Sequence, residues 1–284
     1  MLPQFSHAKP NAPIGVYDSG VGGLTVANGI VQQLKNEQLI YYGDTAHMPY
    51  GDKSDVAIRH YAHRVADFLL AQGCKAMVIA CNTASAVACN SLQKYLHQRI
   101  PVVDVIVPVS EAVVAANLQK VGIIATPQTI KTGAYPKQLQ QLQPNLQLVQ
   151  KAAKSLAAII EEGMYQSPAA IDAIIEYYLN DPNFDGVQGL VLACTHYPII
   201  KTNIEAFFIR KKRQVQIFDS THTVAKQVAH ILQTYNLLNT SGKKPVHQFY
   251  VSDYTAAFEQ TAQIFFGQNI HLQEMILHQA TDII

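Results

Sequence analysis

The sequence lacks several features that would settle its class at once. It has no excess of either charge: 21 Lys and Arg stand against 20 Asp and Glu, for a formal net charge of +1. So even a balance gives no electrostatic footprint for nucleic acid or for an anionic membrane. No stretch approaches the roughly 20 apolar residues of a membrane span. Residues 1–12 hold Pro, His and Lys but no apolar segment, and they read as a tail rather than a signal peptide. Cysteine is scarce, with four in 284 residues. With no export signal the expected location is the reducing cytoplasm, where those thiols stay free. The spacing of Cys74, Cys81 and Cys89 matches no usual zinc pattern. Cys74 and Cys89 read as small buried residues. The one basic run, Arg210-Lys211-Lys212-Arg213, reads as a solvated helix end.

About half of the residues are apolar and 14% are charged, which marks a globular chain. Its length suits one large core or two ordinary domains. Short apolar runs recur at 14–17, 39–43, 76–80, 102–105, 121–125, 147–151, 189–193, 215–218 and 247–251. Helical patterns separate most of them, as at 54–72, 84–98 and 168–180. Strands alternating with helices predict parallel, doubly wound sheets.

The pattern also repeats. Ile14-Gly15-Val16-Tyr17-Asp18-Ser19 is echoed by Val121-Gly122-Ile123-Ile124-Ala125-Thr126. The apolar run ending at Cys81 is echoed by the run ending at Cys194. The offsets are 108 (18 to 126) and 113 (81 to 194), so the expected fold is α/β, with two pseudo-symmetric, doubly wound domains facing a central cleft. Ligands of open α/β sheets bind outside the carboxyl ends of strands. Asp18, Ser19, Cys81, Asn82, Thr126, Cys194, Thr195 and His196 all fall at such ends, which makes the cleft between the halves the expected site.

Two thiols in matching frames suit one chemistry in particular. A thiolate can act as a base and an opposing thiol as an acid, which moves a proton from one face of a carbon to the other. Both cysteines are expected to precede a helix, where a thiol ionises more readily. His196, two residues beyond Cys194, is a candidate proton partner. Metal binding by Cys194 and His196 would need further ligands, and the sequence offers no convincing cluster. The turn Asp18-Ser19-Gly20-Val21-Gly22-Gly23 joins a strand to a helix whose free N–H groups can face an anion. A dinucleotide site would need a third glycine where Thr25 stands, although Asp44 could serve as its ribose-binding acid. An acid ahead of the glycines equally suits a small-molecule site. Pro49, Tyr50 and Gly51 belong to a polar loop after the second strand, read as a turn or as part of the site.

The segments IGVYDSGVGGLTV, YYGDTAHMPYG, ACNTASA, VGIIATPQTI and LACTHYP resemble the glutamate racemase family of cofactor-independent amino-acid racemases. They run in order from residue 14 to about 198, and IFDSTHTVA around Asp219 extends the likeness. The resemblance implies one domain formed by residues 1–104 and 219–284 and a second formed by 105–218. It implies interconversion of L- and D-glutamate, supplying D-glutamate for peptidoglycan, with no metal, pyridoxal phosphate or nicotinamide. The partner it implies is the amino acid itself, with neither nucleic acid nor membrane, and a homodimer remains open. Cys81 would take the α-proton of D-glutamate and Cys194 that of L-glutamate. Asp18 and His196 would assist the neighbouring transfers. Asp18, Ser19, Pro49, Tyr50, Gly51, Asn82, Thr83, Thr126, Thr195 and His196 would contact substrate. An aspartate racemase, a nucleotide-dependent oxidoreductase and a binding protein of the same fold are the alternatives. The likeness is weakest at 152–163, where AAKSLAAIIEEG stands in place of a segment like ACPLFVPLVEEG, and at Ala193, where the family has glycine.

Overall fold

A computed structural model describes residues 5–277. Its strands are β1 (Ile14–Asp18), β2 (Leu39–Gly43), β3 (Ala76–Ile79), β4 (Val102–Val103), β5 (Lys120–Ala125), β6 (Gln147–Ala152), β7 (Gly189–Ala193), β8 (Gln216–Phe218), β9 (Gln248–Val251) and β10 (Gln273–Glu274). The α-helices are α1 (Leu24–Gln33), α2 (Asp55–Ala71), α3 (Asn82–Tyr95), α4 (Ile106–Ala115), α5 (Pro127–Thr132), α6 (Ala134–Leu142), α7 (Leu156–Glu161), α8 (Pro168–Leu179), α9 (Lys201–Arg210), α10 (Ser220–Thr234) and α11 (Ala256–Phe266).

The strands form two sheets, ordered β10-β9-β2-β1-β3-β4 and β6-β5-β7-β8. Every pairing in both is parallel. The order β2-β1-β3-β4 is matched strand for strand by β6-β5-β7-β8, so the internal echo of the sequence is a repeated topology. The result is two α/β domains, each with a doubly wound parallel sheet, as the alternation of runs predicts. β1, β2, β3 and β7 are buried at every residue, which is why they read as continuous apolar runs. β10 carries no such signal; it is two exposed residues, and the sequence pattern passes over it.

Side chains set many of the helix starts. Ser54, Thr126, Asp219 and Thr255 each accept a backbone N–H from the first turn of α2, α5, α10 and α11. Asp104 accepts from Ile106 at 2.7 Å and Val107 at 3.0 Å, starting α4. α1 packs on α10 at backbone range, since a Cβ on Gly29 would stand 2.2 Å from the Thr221 carbonyl oxygen.

Two expectations need correction. Residues 5–12 are docked rather than a free tail: Ser6 and His7 donate backbone N–H bonds to Gln98 and Arg99, and Phe5 packs edge-on to Tyr235 at 4.9 Å. Residues 1–4 of that segment lie outside the described residues. The helix expected over 84–98 runs Asn82–Tyr95, and Gln98 has a φ of +62° that ends any continuation. The basic run closes α9 and is exposed at Arg210, Lys211 and Lys212, the solvated helix end expected of it. Arg210 pairs with Asp172 at 3.0 Å and Lys211 with Glu176 at 2.9 Å, tying α9 to α8, while Arg213 donates to the Phe184 carbonyl. No helix among the described residues is long and apolar enough to cross a membrane.

Candidate active site

β3 and β7 occupy equivalent places in the two sheets, and each delivers a cysteine at its carboxyl end. Cys81 is the N-cap of α3, and its Sγ accepts the Ala84 N–H at 3.4 Å. The same sulfur lies 3.4 Å from Ser19 Oγ. Cys194 departs from expectation: a 3-10 turn, Tyr197–Ile200, follows it, and α9 begins only at Lys201. The backbone there closes through Tyr197 N–H to the Cys194 carbonyl and Ile199 N–H to the His196 carbonyl, both at 3.2 Å. Pro198 in that turn has no N–H to offer an α-helical ladder. What Cys194 has instead is His196, whose Nδ1 lies 3.7 Å from Sγ. The opposite ring nitrogen, Nε2, lies 2.6 Å from Glu161 Oε1. Phe265 of α11 packs edge-on to the imidazole at 5.2 Å.

A cavity of about 310 Å³ opens between the two sheets. Ser19, Cys81, Asn82 and Thr83 line it from the first sheet. Pro49, Tyr50 and Gly51 contribute from the loop after β2. Thr126, Cys194, Thr195 and His196 face them from the second sheet. Asp18 is not part of the wall. It is fully buried behind the glycine turn, where the Gly20 N–H donates to Oδ2 at 3.0 Å and Oδ1 has no partner among the described residues. Met48, Asp52, Lys154, Ser155 and Glu161, which the sequence motifs do not mark, also line the cavity. The last three come from 152–163, where the family likeness is weakest; the only sequence signal for Glu161 was its place in Glu161-Glu162-Gly163.

Burial and neighbouring charges set the protonation states. Burial, aided by Asp18, pushes the Cys81 thiol up to about 12 against the Ser19 and Ala84 hydrogen bonds. Burial opposes a charged His196, but the Cys194 sulfur and the Glu161 carboxylate outweigh it and raise the imidazole well above its ordinary value. Burial lifts Asp18 above the usual carboxylate range, while His196 and the Gly20 and Gly23 N–H groups pull it down. These shifts favour a neutral thiol at Cys81 and an imidazolium at His196.

The loop carrying Pro49–Gly51 is anchored from below. Asp44 accepts the Tyr50 hydroxyl at 2.6 Å and the Ser252 hydroxyl at 2.9 Å, and it lies 2.8 Å from His47 Nδ1. Tyr17 donates to the Tyr50 oxygen at 2.8 Å. Asp44 is thus engaged as a loop anchor, which removes the ribose-binding acid from the dinucleotide reading. The missing third glycine has its own account. The Thr25 hydroxyl reaches the Thr195 carbonyl across the cleft at 3.1 Å and the Gly22 carbonyl at 2.9 Å. A Cβ on Gly22 would stand 2.5 Å from His196 Cε1. The glycine turn is cut to fit His196 and Thr195, not a pyrophosphate. A second hollow of about 420 Å³, lined by Asp44, His47, Arg64 and Ser252 among others, contains neither thiol. Among the described residues, no three His, Cys, Asp or Glu side chains converge as a metal site.

The Asp/Glu/hydantoin racemase family matches residues 14–228. The chain belongs to that family. It is 38% identical to the glutamate racemase of Neisseria meningitidis over 265 residues, covering 93% of this chain and 96% of that one. The crystal structure of Francisella tularensis glutamate racemase in complex with D-glutamate superposes with a TM-score of 0.87 at 38% identity, covering 94% of this chain and 98% of that one. Glutamate racemase isoform RacE1 from Bacillus anthracis gives a TM-score of 0.88 at 32% identity with the same coverage. The racemase fold therefore spans nearly the whole chain, the divergent segment 152–163 included.

Proposed function

We propose that this protein is a glutamate racemase that interconverts L- and D-glutamate by cofactor-independent proton transfer between two thiols. One observation carries the reading: Cys81 and Cys194, at equivalent strand ends of two sheets with the same order, line a single cavity from opposite sides. In this reading the domains divide as residues 1–104 with 219–284, and residues 105–218.

In the L-to-D direction Cys194, as thiolate, takes the α-proton of L-glutamate. The electron pair left on the α-carbon spreads into the α-carboxylate. Cys81, as thiol, delivers its proton to the opposite face and gives D-glutamate. Cys194 is then the thiol and Cys81 the thiolate, and the reverse reaction runs the same steps backwards. Two acids on opposite faces invert the centre without rotating the substrate. The α-proton is very weakly acidic, so the developing charge needs donors fixed in advance. Asn82, Thr83 and Thr195, which line the cavity, supply them. His196, with Nδ1 3.7 Å from the Cys194 sulfur, serves as its proton partner. Asp18, buried behind the wall, acts on the Cys81 side without contacting substrate.

The same reading places the enzyme in the cytoplasm, as a source of D-glutamate for peptidoglycan. The test is incubation with L-glutamate in D₂O without added cofactor, following optical rotation and α-deuteration together. Loss of rotation as deuterium appears at the α-carbon is the expected result. Turnover of aspartate but not glutamate would reassign the substrate, and no turnover of any amino acid would overturn the activity.

A further inference from the structure

Asn82 is the first residue of α3, next to Cys81, and it lines the cavity with its side chain 2% exposed as a residue. Its Oδ1 accepts the hydroxyl of Tyr135 at 2.6 Å. Its Nδ2 is buried and has no partner among the described residues. Burying an amide donor without a partner is costly, so an unpaired one in a cavity wall points to an acceptor supplied by the ligand. For an amino-acid substrate that acceptor is a carboxylate oxygen.

Tyr135 comes from the other sheet's domain. Gly133, with a φ of +62°, ends α5 and starts α6, and Tyr135 follows this left-handed turn with its hydroxyl on Asn82. The ring is 2% exposed, and burial raises the phenol far above its ordinary value, so the hydroxyl keeps its proton. That proton needs an acceptor, and Asn82 Oδ1 is the one the structure provides. An Asn82 amide turned over would strand the Tyr135 hydrogen and would aim Oδ1, an acceptor, at an anionic substrate. The phenol therefore selects one of two amide orientations.

We infer that Tyr135 is a positioning residue for the racemase reaction: its hydroxyl, reaching across the domain seam, holds Asn82 with Nδ2 directed at the substrate carboxylate. The inference rests on the glutamate racemase reading of the cleft. It also gives the second domain a hold on a donor beside Cys81, so substrate binding by one half senses the placement of the other.

The test is a double-mutant cycle on Tyr135→Phe and Asn82→Ala, with kcat and KM for both glutamate enantiomers and the thermal midpoint of each protein. Tyr135→Phe keeps the ring and its packing. It is expected to lower kcat/KM about tenfold, the effect of one directed hydrogen bond. In the Asn82→Ala background the same change is expected to cost less than about twofold, because there is no amide left to orient. A merely structural tyrosine would instead lower the midpoint and cost the same factor in both backgrounds, which would overturn the inference. So would Tyr135→Phe activity within about twofold of wild type. Should Tyr135→Phe not fold, Asn82→Asp reads the same arrangement. It keeps the acceptor for Tyr135 but offers no donor, so kcat/KM should fall at neutral pH as far as in Asn82→Ala; wild-type values would overturn the inference. Failure of the wild-type protein to racemise glutamate would count against the proposed function and would be seen before any variant is compared.

Discussion

Glu161 holds His196 from the side opposite Cys194: its Oε1 lies 2.6 Å from Nε2, while Nδ1 lies 3.7 Å from the Cys194 sulfur. Among the described residues, nothing equivalent stands beside Cys81, which has a helix start, Ser19 and a buried carboxylate. The two halves repeat a topology but not an electrostatic environment. The enzyme thus has two unlike proton-transfer sites, although the two thiols exchange roles with direction.

Glu161→Gln should expose that asymmetry. The change removes a carboxylate that raises His196, so the imidazole in the variant loses its proton at lower pH. kcat/KM for L-glutamate should fall about 10- to 100-fold, the range for a hydrogen bond to a charged group, and its alkaline limb should move to lower pH. The stability consequence has a fixed sign. A histidine whose folded-state pKa is raised adds stability that is fully present below its unfolded value of about 6.5 and is lost as pH rises through the folded value. The thermal midpoint of wild type should therefore exceed that of Glu161→Gln by most below about pH 6.5. An equal gap at all pH values would show that Glu161 does not act through His196.

Cys81→Ala and Cys194→Ala should each lower racemisation by about 10³-fold or more, since each removes one of two obligatory proton carriers. Both cysteines are small and buried, so circular dichroism should show folded proteins. Cys74→Ala is the control. Its thiol is buried away from the cleft and pushed up to about 12 by burial alone, and its loss should leave kcat within about twofold of wild type. Ordinary turnover in either cleft variant would end the two-thiol mechanism.

Gly22→Ala tests the close fit of the domains. The added Cβ would stand 2.5 Å from His196 Cε1 and 2.6 Å from Thr195 Oγ1, inside any real contact distance. His196 must move, and a displacement near 1 Å costs about 10²-fold in rate. The expected outcome is a fall of that size in kcat/KM with a folded protein by circular dichroism. Unchanged kinetics would mean that the two walls separate freely.

Much of this was legible in the sequence because parallel strands buried on both faces leave continuous apolar runs, and the chemistry sits at their ends. The runs before Cys81 and Cys194 therefore marked both the repeat and the cleft. What stayed hidden depended on long-range geometry. Asp18 occupies a strand end like the other site residues, yet it turns inward and is capped by its own glycine turn. Glu161 lies 35 residues from His196 in a stretch that departs from the family pattern, so no local signal joins them. The helix expected after Cys194 is displaced by a turn around Pro198, and β10 is too short and too polar to register.

The end of the first sheet remote from the cleft carries a pair whose removal should affect stability rather than catalysis. Lys75 is fully buried, with Nζ 2.5 Å from Glu37 Oε2, and it also donates to the carbonyls of Pro10 at 2.5 Å and Leu237 at 2.7 Å. Glu37 accepts the Asn239 N–H at 2.8 Å through its other oxygen. One ammonium thus ties the amino-terminal segment, the start of β3 and the chain beyond α10 to a single point. Lys75→Met leaves the Glu37 carboxylate buried without a cation, a change that costs about 3–5 kcal/mol. The urea midpoint should drop accordingly, while kcat/KM of the protein that remains folded stays at the wild-type value. Lys75→Met with Glu37→Gln removes both charges, so a large part of the loss should return. If the double variant unfolds as early as the single one, the carbonyl contacts rather than the ion pair hold that corner of the fold.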